Sequence, residues 1–275
     1  MIFVRTSLYS LVALTIPCWG ASAVIVPFQW LNPGPQHLVF GDGSIRSGKM
    51  QAFALSPAQP STMYAGGGVG SGNEGPTNQT GVLKSIDNGI SWTRTNNGLT
   101  DPTINFLFVD PNNPDLVLAG TEYGGIFRTA NGGQTWNQVS PSAPVSSIIS
   151  TSTGIVAGTG RGIELSTDAG ISWTLIDATS SPVRCIATGN GTIIAGLDGG
   201  DVIYKAASVS AWVAVAHNPG YTVWDIAIDP VDPRIAFYVR ALGPDPNTVQ
   251  RTTDGGATWQ PPCGRNLEVR PPRLA

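Results

Sequence analysis

Three acidic side chains lie in loops where they could carry out acid–base chemistry. Glu74 lies in the longest insertion, residues 67–81, Glu122 precedes Tyr123, and Asp198 precedes two glycines. Hydrolysis of a glycosidic bond requires two carboxyl groups, about 5 to 10 Å apart, on either side of that bond. Glu122 with Glu74 or with Asp198 is the pairing that the sequence offers. The competing interpretation is that each of these loop carboxylates is simply solvated.

Metal and cofactor chemistry has little support in the sequence. His37 and His217 are isolated, and the chain has no C-x-x-C pair, no calcium-loop pattern, no phosphate loop and no nucleophile elbow. We therefore predict no metal and no cofactor. Cys185 lies in an apolar strand and is expected to be a small core residue. A disulfide with Cys263 is the alternative, since an export route would permit it.

The composition favours one large all-β domain. The 275 residues carry a net charge of −3, and only 12% of them are charged, so there is no basic excess of the kind that nucleic acid requires. The chain has 34 glycines and 22 prolines, and they are spread among recurring apolar runs. This distribution indicates many short strands joined by turns.

One eight-residue pattern, S-x-D-x-G-x-x-W, organises the chain. Its first residue is Ser or Thr, its third Asp or Asn, its fifth Gly and its eighth Trp. A fifth, degenerate copy ends at Trp212, where Lys205, Ala207 and Val209 replace the polar and small positions. The four intact copies, called the repeat turns below, consist of Ser85, Asp87, Gly89 and Trp92; Thr129, Asn131, Gly133 and Trp136; Ser166, Asp168, Gly170 and Trp173; and Thr252, Asp254, Gly256 and Trp259.

Each position of the repeat turn suits a tight loop between two antiparallel strands. The hydroxyl can bond back to the backbone, and the carboxylate or amide can accept from loop N–H groups. The glycine can adopt a positive φ, and the tryptophan can bury a large flat face between neighbouring sheets. A row of catalytic aspartates is the less favoured interpretation, because these carboxylates are already used to close turns.

The spacing of the repeats predicts propeller blades. The tryptophans that end successive repeats, from Trp92 to Trp259, are separated by 37 to 47 residues, and each unit contains about four short strands. Repeats of roughly 40 residues with four strands are typical of β-propellers. A solenoid is the alternative architecture. We therefore predict an all-β fold, a β-propeller of about five four-stranded blades covering residues 51–262.

The pattern resembles the Asp-box, or BNR, repeat of sialidases, sortilin-type receptors, xyloglucanase-type glycosidases and photosystem II assembly-factor propellers. The resemblance implies that the boxes lie on the blade periphery and serve the fold, with ligands at the central face. Those families mostly have six, seven or ten blades, so we expect a truncated piece of a larger propeller ahead of a compact five-blade ring. The sialidase F/Y-R-I-P motif is missing, and Arg128, Arg184 and Arg251 lie in separate predicted strands.

The two ends of the chain lie outside the repeats. Residues 1–23 resemble a secretory signal peptide, with Arg5, an apolar stretch and an A-S-A site ending at Ala23. This predicts a secreted or periplasmic protein, and no later stretch is long enough to span a membrane. Residues 24–50 resemble the lead-in of sortilin-like and xyloglucanase-like propellers and could supply a ring-closing strand. Residues 263–275 are predicted to be an irregular tail.

Three functional hypotheses follow. The first is a secreted, non-catalytic propeller that binds or scaffolds a protein or glycan at its central face. The second is a glycoside hydrolase, xyloglucanase-like, or a fragment of one. Enzymes of that type use two propellers with an Asp from each, and this chain can supply one at most. The third is a propeller similar to the photosystem assembly factors.

Overall fold

The computed structural model describes residues 50–68, 80–206, 211–217, 219–241 and 248–261. It also describes three two-residue strands, β1 (Arg5–Thr6), β2 (Leu38–Val39) and β3 (Ile45–Arg46). All regular secondary structure in these residues is β-strand.

Five antiparallel sheets follow one another along the chain, and we call them blades one to five. Within each blade the strands pair in chain order from the inner strand outwards. The strands are β4 (Met50–Leu55), β5 (Met63–Gly67), β6 (Gly81–Ser85) and β7 (Thr93–Arg94); β8 (Ile104–Asp110), β9 (Asn113–Thr121), β10 (Ile126–Thr129) and β11 (Asn137–Ser140); β12 (Val145–Thr151), β13 (Gly154–Thr159), β14 (Gly162–Ser166) and β15 (Thr174–Ala178); β16 (Val183–Gly189), β17 (Thr192–Leu197), β18 (Val202–Lys205) and β19 (Val213–Ala216); and β20 (Thr222–Ile228), β21 (Ala236–Ala241) and β22 (Thr248–Thr252).

The predicted all-β propeller architecture is confirmed, with one difference in blade five. In the described residues that blade has three strands, and an isolated bridge between Arg251 and Gln260 stands where a fourth strand would begin. Neighbouring inner strands contact each other from β4 through β8, β12 and β16 to β20. Within the described residues no contact of similar extent joins β20 back to β4. The five blades therefore form an arc.

The N-terminal strands are peripheral to this arc. β1 pairs in parallel with β4, while β2 and β3 form a separate hairpin. The rest of the predicted signal peptide and lead-in, and all of the predicted tail, lie outside the described residues. The proposed boundaries at residues 23, 50 and 262 remain predictions.

The apolar core is divided among the junctions between blades. We call the side of a blade that meets the next blade its trailing face, and the side that meets the preceding blade its leading face. One cluster of buried side chains fills each of the four junctions. Tryptophans 136, 173, 212 and 259 pack on the leading faces of blades two to five, respectively. A degenerate repeat can therefore keep its blade because Trp212 still packs against this junction.

A glycine in the second strand sets the distance of closest approach at each junction. A Cβ added to Gly120 would lie 2.6 Å from a methyl group of Val145, the first residue of the next inner strand. Its φ is not positive, so the requirement for glycine is steric. The same arrangement recurs at every junction, in the pairs Gly66–Ile104, Gly120–Val145, Gly158–Val183 and Gly196–Val223.

Every inner strand is bulged close to its first residue. The register with the neighbouring strand shifts at this point in all five blades. A β-bulge adds an unpaired residue and re-aims its side chain. The repetition places five bulged residues at the same end of the blades, and we call this end the rim: Gln51, Asn105, Ser146, Arg184 and Trp224.

Candidate functional site

The four repeat turns share one hydrogen-bond pattern. In the first, the Ser85 hydroxyl donates to the Asp87 carboxylate at 2.7 Å and accepts from the Gly89 N–H at 2.9 Å. Asp87 also accepts the N–H of Ser91 at 2.9 Å and its hydroxyl at 2.5 Å. The Asn131 copy keeps three of these contacts through its amide oxygen and the Thr129 hydroxyl, and turns its amide N–H towards the Thr135 hydroxyl.

The structure adds two turn positions that sequence reasoning missed. One is the Ser or Thr before each tryptophan, which bonds the carboxylate or amide twice: Ser91, Thr135, Ser172 and Thr258. The signal was present, because this position is Ser or Thr in all four copies. The other is the residue before the glycine, which also has a positive φ: Asn88, Gly132, Ala169 and Gly255. Two non-glycine residues therefore occupy the left-handed region.

These contacts hold the turn carboxylates in their charged form. Hydrogen bonds from Ser91 and Ser85 lower the pKa of Asp87 to about 2, and bonds from Thr258 and Thr252 lower that of Asp254 to about 2. The pKa of Asp168 is lowered further by Ser172 and Ser166. A carboxylate with most of its lone pairs accepting protein hydrogen bonds is a poor proton donor or acceptor for a substrate.

Glu122 lies at the rim in blade two, in the loop between β9 and β10. It is half-buried and accepts a 2.6 Å hydrogen bond from the amide of Asn105, the bulged residue of the same blade. The loop is fixed by Asp101, whose carboxylate accepts from the N–H groups of Tyr123 and Gly124. Partial burial raises the pKa of Asp101, but these backbone bonds and one from Thr103 outweigh it, so the pKa is lowered overall.

Asp198 lies at the equivalent place in blade four. Its carboxylate is 3.1 Å from Nε of Arg184, the bulged residue of that blade. The Arg184 guanidinium carbon lies 4.9 Å from the ring centre of Trp224, the bulged residue of blade five. The indole of Trp224 is 45% exposed. An acid, a cation and an aromatic face thus form one continuous surface at the rim.

The candidate catalytic carboxylates are not joined into a pair. Glu122 bonds within blade two and Asp198 within blade four, with blade three between them. Glu74 lies outside the described residues, so its pairing with Glu122 stays a prediction. The bulged residues Asn105, Arg184 and Trp224 were not singled out from the sequence, because a bulge depends on the register between two strands.

The remaining candidates have structural settings. Cys185 is buried and its thiol lies 3.8 Å from the carbonyl oxygen of Val223, while Cys263 lies outside the described residues. His217 is exposed and contacts Asp201. No group of three potential metal ligands occurs in the described part of the chain. Within the same residues, no helix is long and apolar enough to cross a membrane.

Comparison with known proteins identifies the fold only. No protein-family model and no curated protein sequence matches this chain. Among solved structures, it is similar to the GH74 xyloglucanase from Xanthomonas campestris, with 19% identity, a TM-score of 0.62 and coverage of 77% of this chain and 38% of that one. It is also similar to YCF48 bound to D1 peptide, with 15% identity, a TM-score of 0.54 and coverage of 80% and 71%.

A third similar structure is the extracellular domain of the one-component system BT4673 from B. thetaiotaomicron. It has 13% identity and a TM-score of 0.58, with coverage of 82% of this chain and 29% of that one. This chain therefore spans less than two fifths of the xyloglucanase and of BT4673. At these identities the likeness establishes the propeller fold and leaves the activity to be argued from the rim itself.

Proposed function

We propose that this protein is a non-catalytic binding module that holds a glycan across the rim. The observation that carries the proposal is the surface formed by Trp224, Arg184 and Asp198, in which a half-exposed indole lies beside an ion pair. An indole offers a flat apolar face, and fixed polar groups beside it give orientation and specificity. A sugar ring has the matching character, with an apolar C–H face and hydroxyl groups at its edge.

The amide–carboxylate pair of blade two extends this surface. Asn105 and Glu122 place a donor and an acceptor together at the rim, and Tyr123 beside them is 76% exposed. A chain of sugars could contact both polar pairs, since each pair can donate to and accept from hydroxyl groups. The hydrogen bond of Asn105 with Glu122 and the ion pair of Arg184 with Asp198 keep these groups in place before the ligand arrives.

The proposal includes export of the protein, as the A-S-A site ending at Ala23 suggests. Hydrolysis of the glycan is the alternative function, and the assay below distinguishes it from binding. A hydrolase would depend on Glu122 as acid or base, and the bond from Asn105 restrains that carboxylate without removing it from the rim. We propose binding ahead of hydrolysis because Glu122 and Asp198 are each paired within separate blades.

A glycan array and a polysaccharide-release assay on the purified protein test this function. We expect binding without sugar release, and we expect Trp224→Ala to weaken binding by about tenfold, since a stacked aromatic contact contributes on the order of 1.5 kcal/mol. Ile90→Ala is the matched control, because Ile90 is 85% exposed on a repeat turn away from the rim.

Three results would count against the proposal. Sugar release that Glu122→Gln abolishes would establish a hydrolase instead. Glycan binding that Trp224→Ala leaves unchanged would place the ligand elsewhere on the molecule. Binding of a peptide, but of no glycan, by the same rim would replace the ligand class.

A further inference from the structure

The chain contains four Asn-Gly pairs, and this dipeptide is the one most prone to spontaneous deamidation of the asparagine. The reaction begins when the backbone nitrogen of the glycine attacks the side-chain carbonyl carbon of the asparagine. Glycine permits this attack because it has no Cβ to obstruct the ring closure. All four pairs lie in the described residues: Asn88-Gly89, Asn97-Gly98, Asn131-Gly132 and Asn190-Gly191. They are identical as dipeptides, so their surroundings decide which one reacts.

The two pairs in repeat turns are held through hydrogen bonds of the attacking nitrogen. The Gly89 N–H donates to the Ser85 hydroxyl at 2.9 Å, and the Gly132 N–H donates to the carbonyl of Asp115 at 2.9 Å. The Asn131 side chain is also fixed by its own hydrogen bonds within the turn. A nitrogen whose N–H is bonded in this way must lose that bond before it can attack.

The pair Asn97-Gly98 is held against blade two. The Asn97 side-chain amide donates to the carbonyl of Gln134 at 3.3 Å, and the Asn97 carbonyl accepts from the Trp136 N–H at 2.8 Å. A Cβ added to Gly98 would overlap the carbonyl oxygen of Trp136, so the backbone of this pair is closely packed. Rotation of this segment therefore requires the contact with blade two to open.

Asn190 and Gly191 form the two-residue turn between β16 and β17, at the end of blade four opposite the rim. Strand pairing ends with Gly189 opposite Thr192. The two turn residues are exposed and have φ values of 46° and 75°, as a type I′ turn requires. Within the described residues, the Asn190 side chain makes no hydrogen bond and the Gly191 N–H takes part in no turn bond. This pair is therefore the one that can rotate without breaking an anchoring contact.

We propose that Asn190 is a site of spontaneous covalent modification, at which deamidation converts asparagine to aspartate and isoaspartate. The Gly191 nitrogen loses its proton and bonds to Cγ of Asn190, and the side-chain amide leaves as ammonia. The product is a cyclic succinimide, which a water molecule opens at either carbonyl carbon. Attack of water on Cγ gives aspartate, whereas attack on the main-chain carbonyl gives isoaspartate, whose backbone runs through the former side chain. One water is consumed and one ammonia is released, and no oxidant or reductant is needed.

The two products differ in their effect on blade four. Aspartate tolerates the left-handed conformation and leaves the length of the turn unchanged. Isoaspartate inserts an extra carbon atom into the backbone of this turn. The adjoining Gly189 packs closely against blade five, where an added Cβ would lie 2.5 Å from the carbonyl oxygen of Asp229. Isoaspartate should therefore loosen the junction of blades four and five and leave the rim unchanged.

Peptide mapping by mass spectrometry tests the proposal on the purified protein during incubation in mildly alkaline buffer. Deamidation adds the mass difference between an amide and an acid, and water labelled with heavy oxygen marks the product formed during the incubation. We expect the Asn190 peptide to convert at least about tenfold faster than the peptides of the three anchored pairs, because each of those must first open locally.

Two controls connect the rates to the structure. In urea the anchors are lost, so the four pairs should convert at similar rates. Ser85→Ala removes the acceptor of the Gly89 N–H, so it should speed conversion at Asn88 by about fivefold and leave the rate at Asn190 unchanged. Circular dichroism verifies that this variant remains folded.

Three results would overturn the proposal. The first is an Asn190 peptide that keeps its mass, or that converts no faster than the three anchored pairs. The second is aspartate formed without isoaspartate, since opening of a succinimide yields both. The third is an Asn88 rate that Ser85→Ala leaves unchanged, because a bonded glycine nitrogen would then not be what protects a pair. These outcomes do not depend on glycan binding, since the turn lies at the end of blade four opposite the rim.

Discussion

At the scale of single residues, the repeat turn depends on a few short hydrogen bonds around one side chain. Asp87, Asp168 and Asp254 each accept from a hydroxyl on both sides and from backbone N–H groups. Asn131 occupies the same place, so the turn requires an acceptor and not a negative charge. The negative charge of the three aspartates makes the stability of the protein depend on pH.

The lowered pKa values predict that acid destabilises the protein between about pH 4 and pH 2. The ordinary pKa of these carboxyls is 3.8, and the folded values of Asp87 and Asp254 are about 2. Because the unfolded chain binds protons first as pH falls, the stabilisation is complete above the unfolded pKa and is lost as pH falls through the folded one. The free energy of unfolding, measured in urea at each pH, should decrease across this range.

A variant with all three turn aspartates replaced by asparagine should fold and lose most of this dependence. Part of the pH dependence will remain, because hydrogen bonds from Arg234 lower the pKa of Asp232 to about 2. Asp177 acts in the opposite direction, since partial burial raises its pKa despite Lys205. An unchanged pH profile in the triple variant would contradict the account of the turns.

At the scale of the blades, the controlling feature is the close approach between neighbouring sheets. Each junction joins a glycine in a second strand to the residue that precedes the bulge of the next inner strand. The tryptophans contribute differently from one blade to another. Trp136 donates to the carbonyl of Thr95 in blade one at 2.7 Å, whereas the indole N–H of Trp173 is buried without a partner in the described residues. Apolar packing is therefore what the repeat tryptophans have in common.

Gly120→Ala should destabilise the protein by about 1–3 kcal/mol, because the added methyl group overpacks a closed junction. The new Cβ would lie 2.6 Å from a methyl carbon of Val145, so one of the two strands must shift. Denaturant unfolding of the single variants and of Gly120→Ala/Val145→Ala measures the coupling. The double variant should cost less than the sum of the two single changes, by about 0.5 kcal/mol or more. Additive costs would mean that the two residues do not press on each other.

At the scale of the whole molecule, the arc has two ends whose stability differs from that of its middle. Blades two to four pack on both faces, while the trailing face of blade five is open in the described structure. In a repeat architecture, stability is approximately a sum over repeats and their nearest-neighbour interfaces. A blade with one interface should therefore open more often than a blade with two.

Hydrogen exchange should reveal this difference along the chain. We expect the amides of β21 in blade five to exchange faster than those of β13 in blade three when the protein is dilute, because local opening there breaks one junction instead of two. Equal exchange rates in the two strands at low concentration would contradict the nearest-neighbour picture.

The sequence by itself determined the fold class and placed the five repeat units of this chain. The eight-residue pattern recurs at a regular spacing, and each of its residues acts within its own turn, so local chemistry was enough to place Ser85 to Trp92 and the other copies. Strand positions followed from short apolar runs between turns. In the described residues, blade five alone differs from the four-strand expectation, because a single bridge stands where its fourth strand would begin.

Only the tertiary structure decided how the rim is built and how the arc ends. The positions of Asn105, Arg184 and Trp224 depend on bulges, which arise when two strands pair out of register and leave no mark in either strand alone. The pairing of Glu122 with Asn105, and of Asp198 with Arg184, depends on which loops the blades bring together.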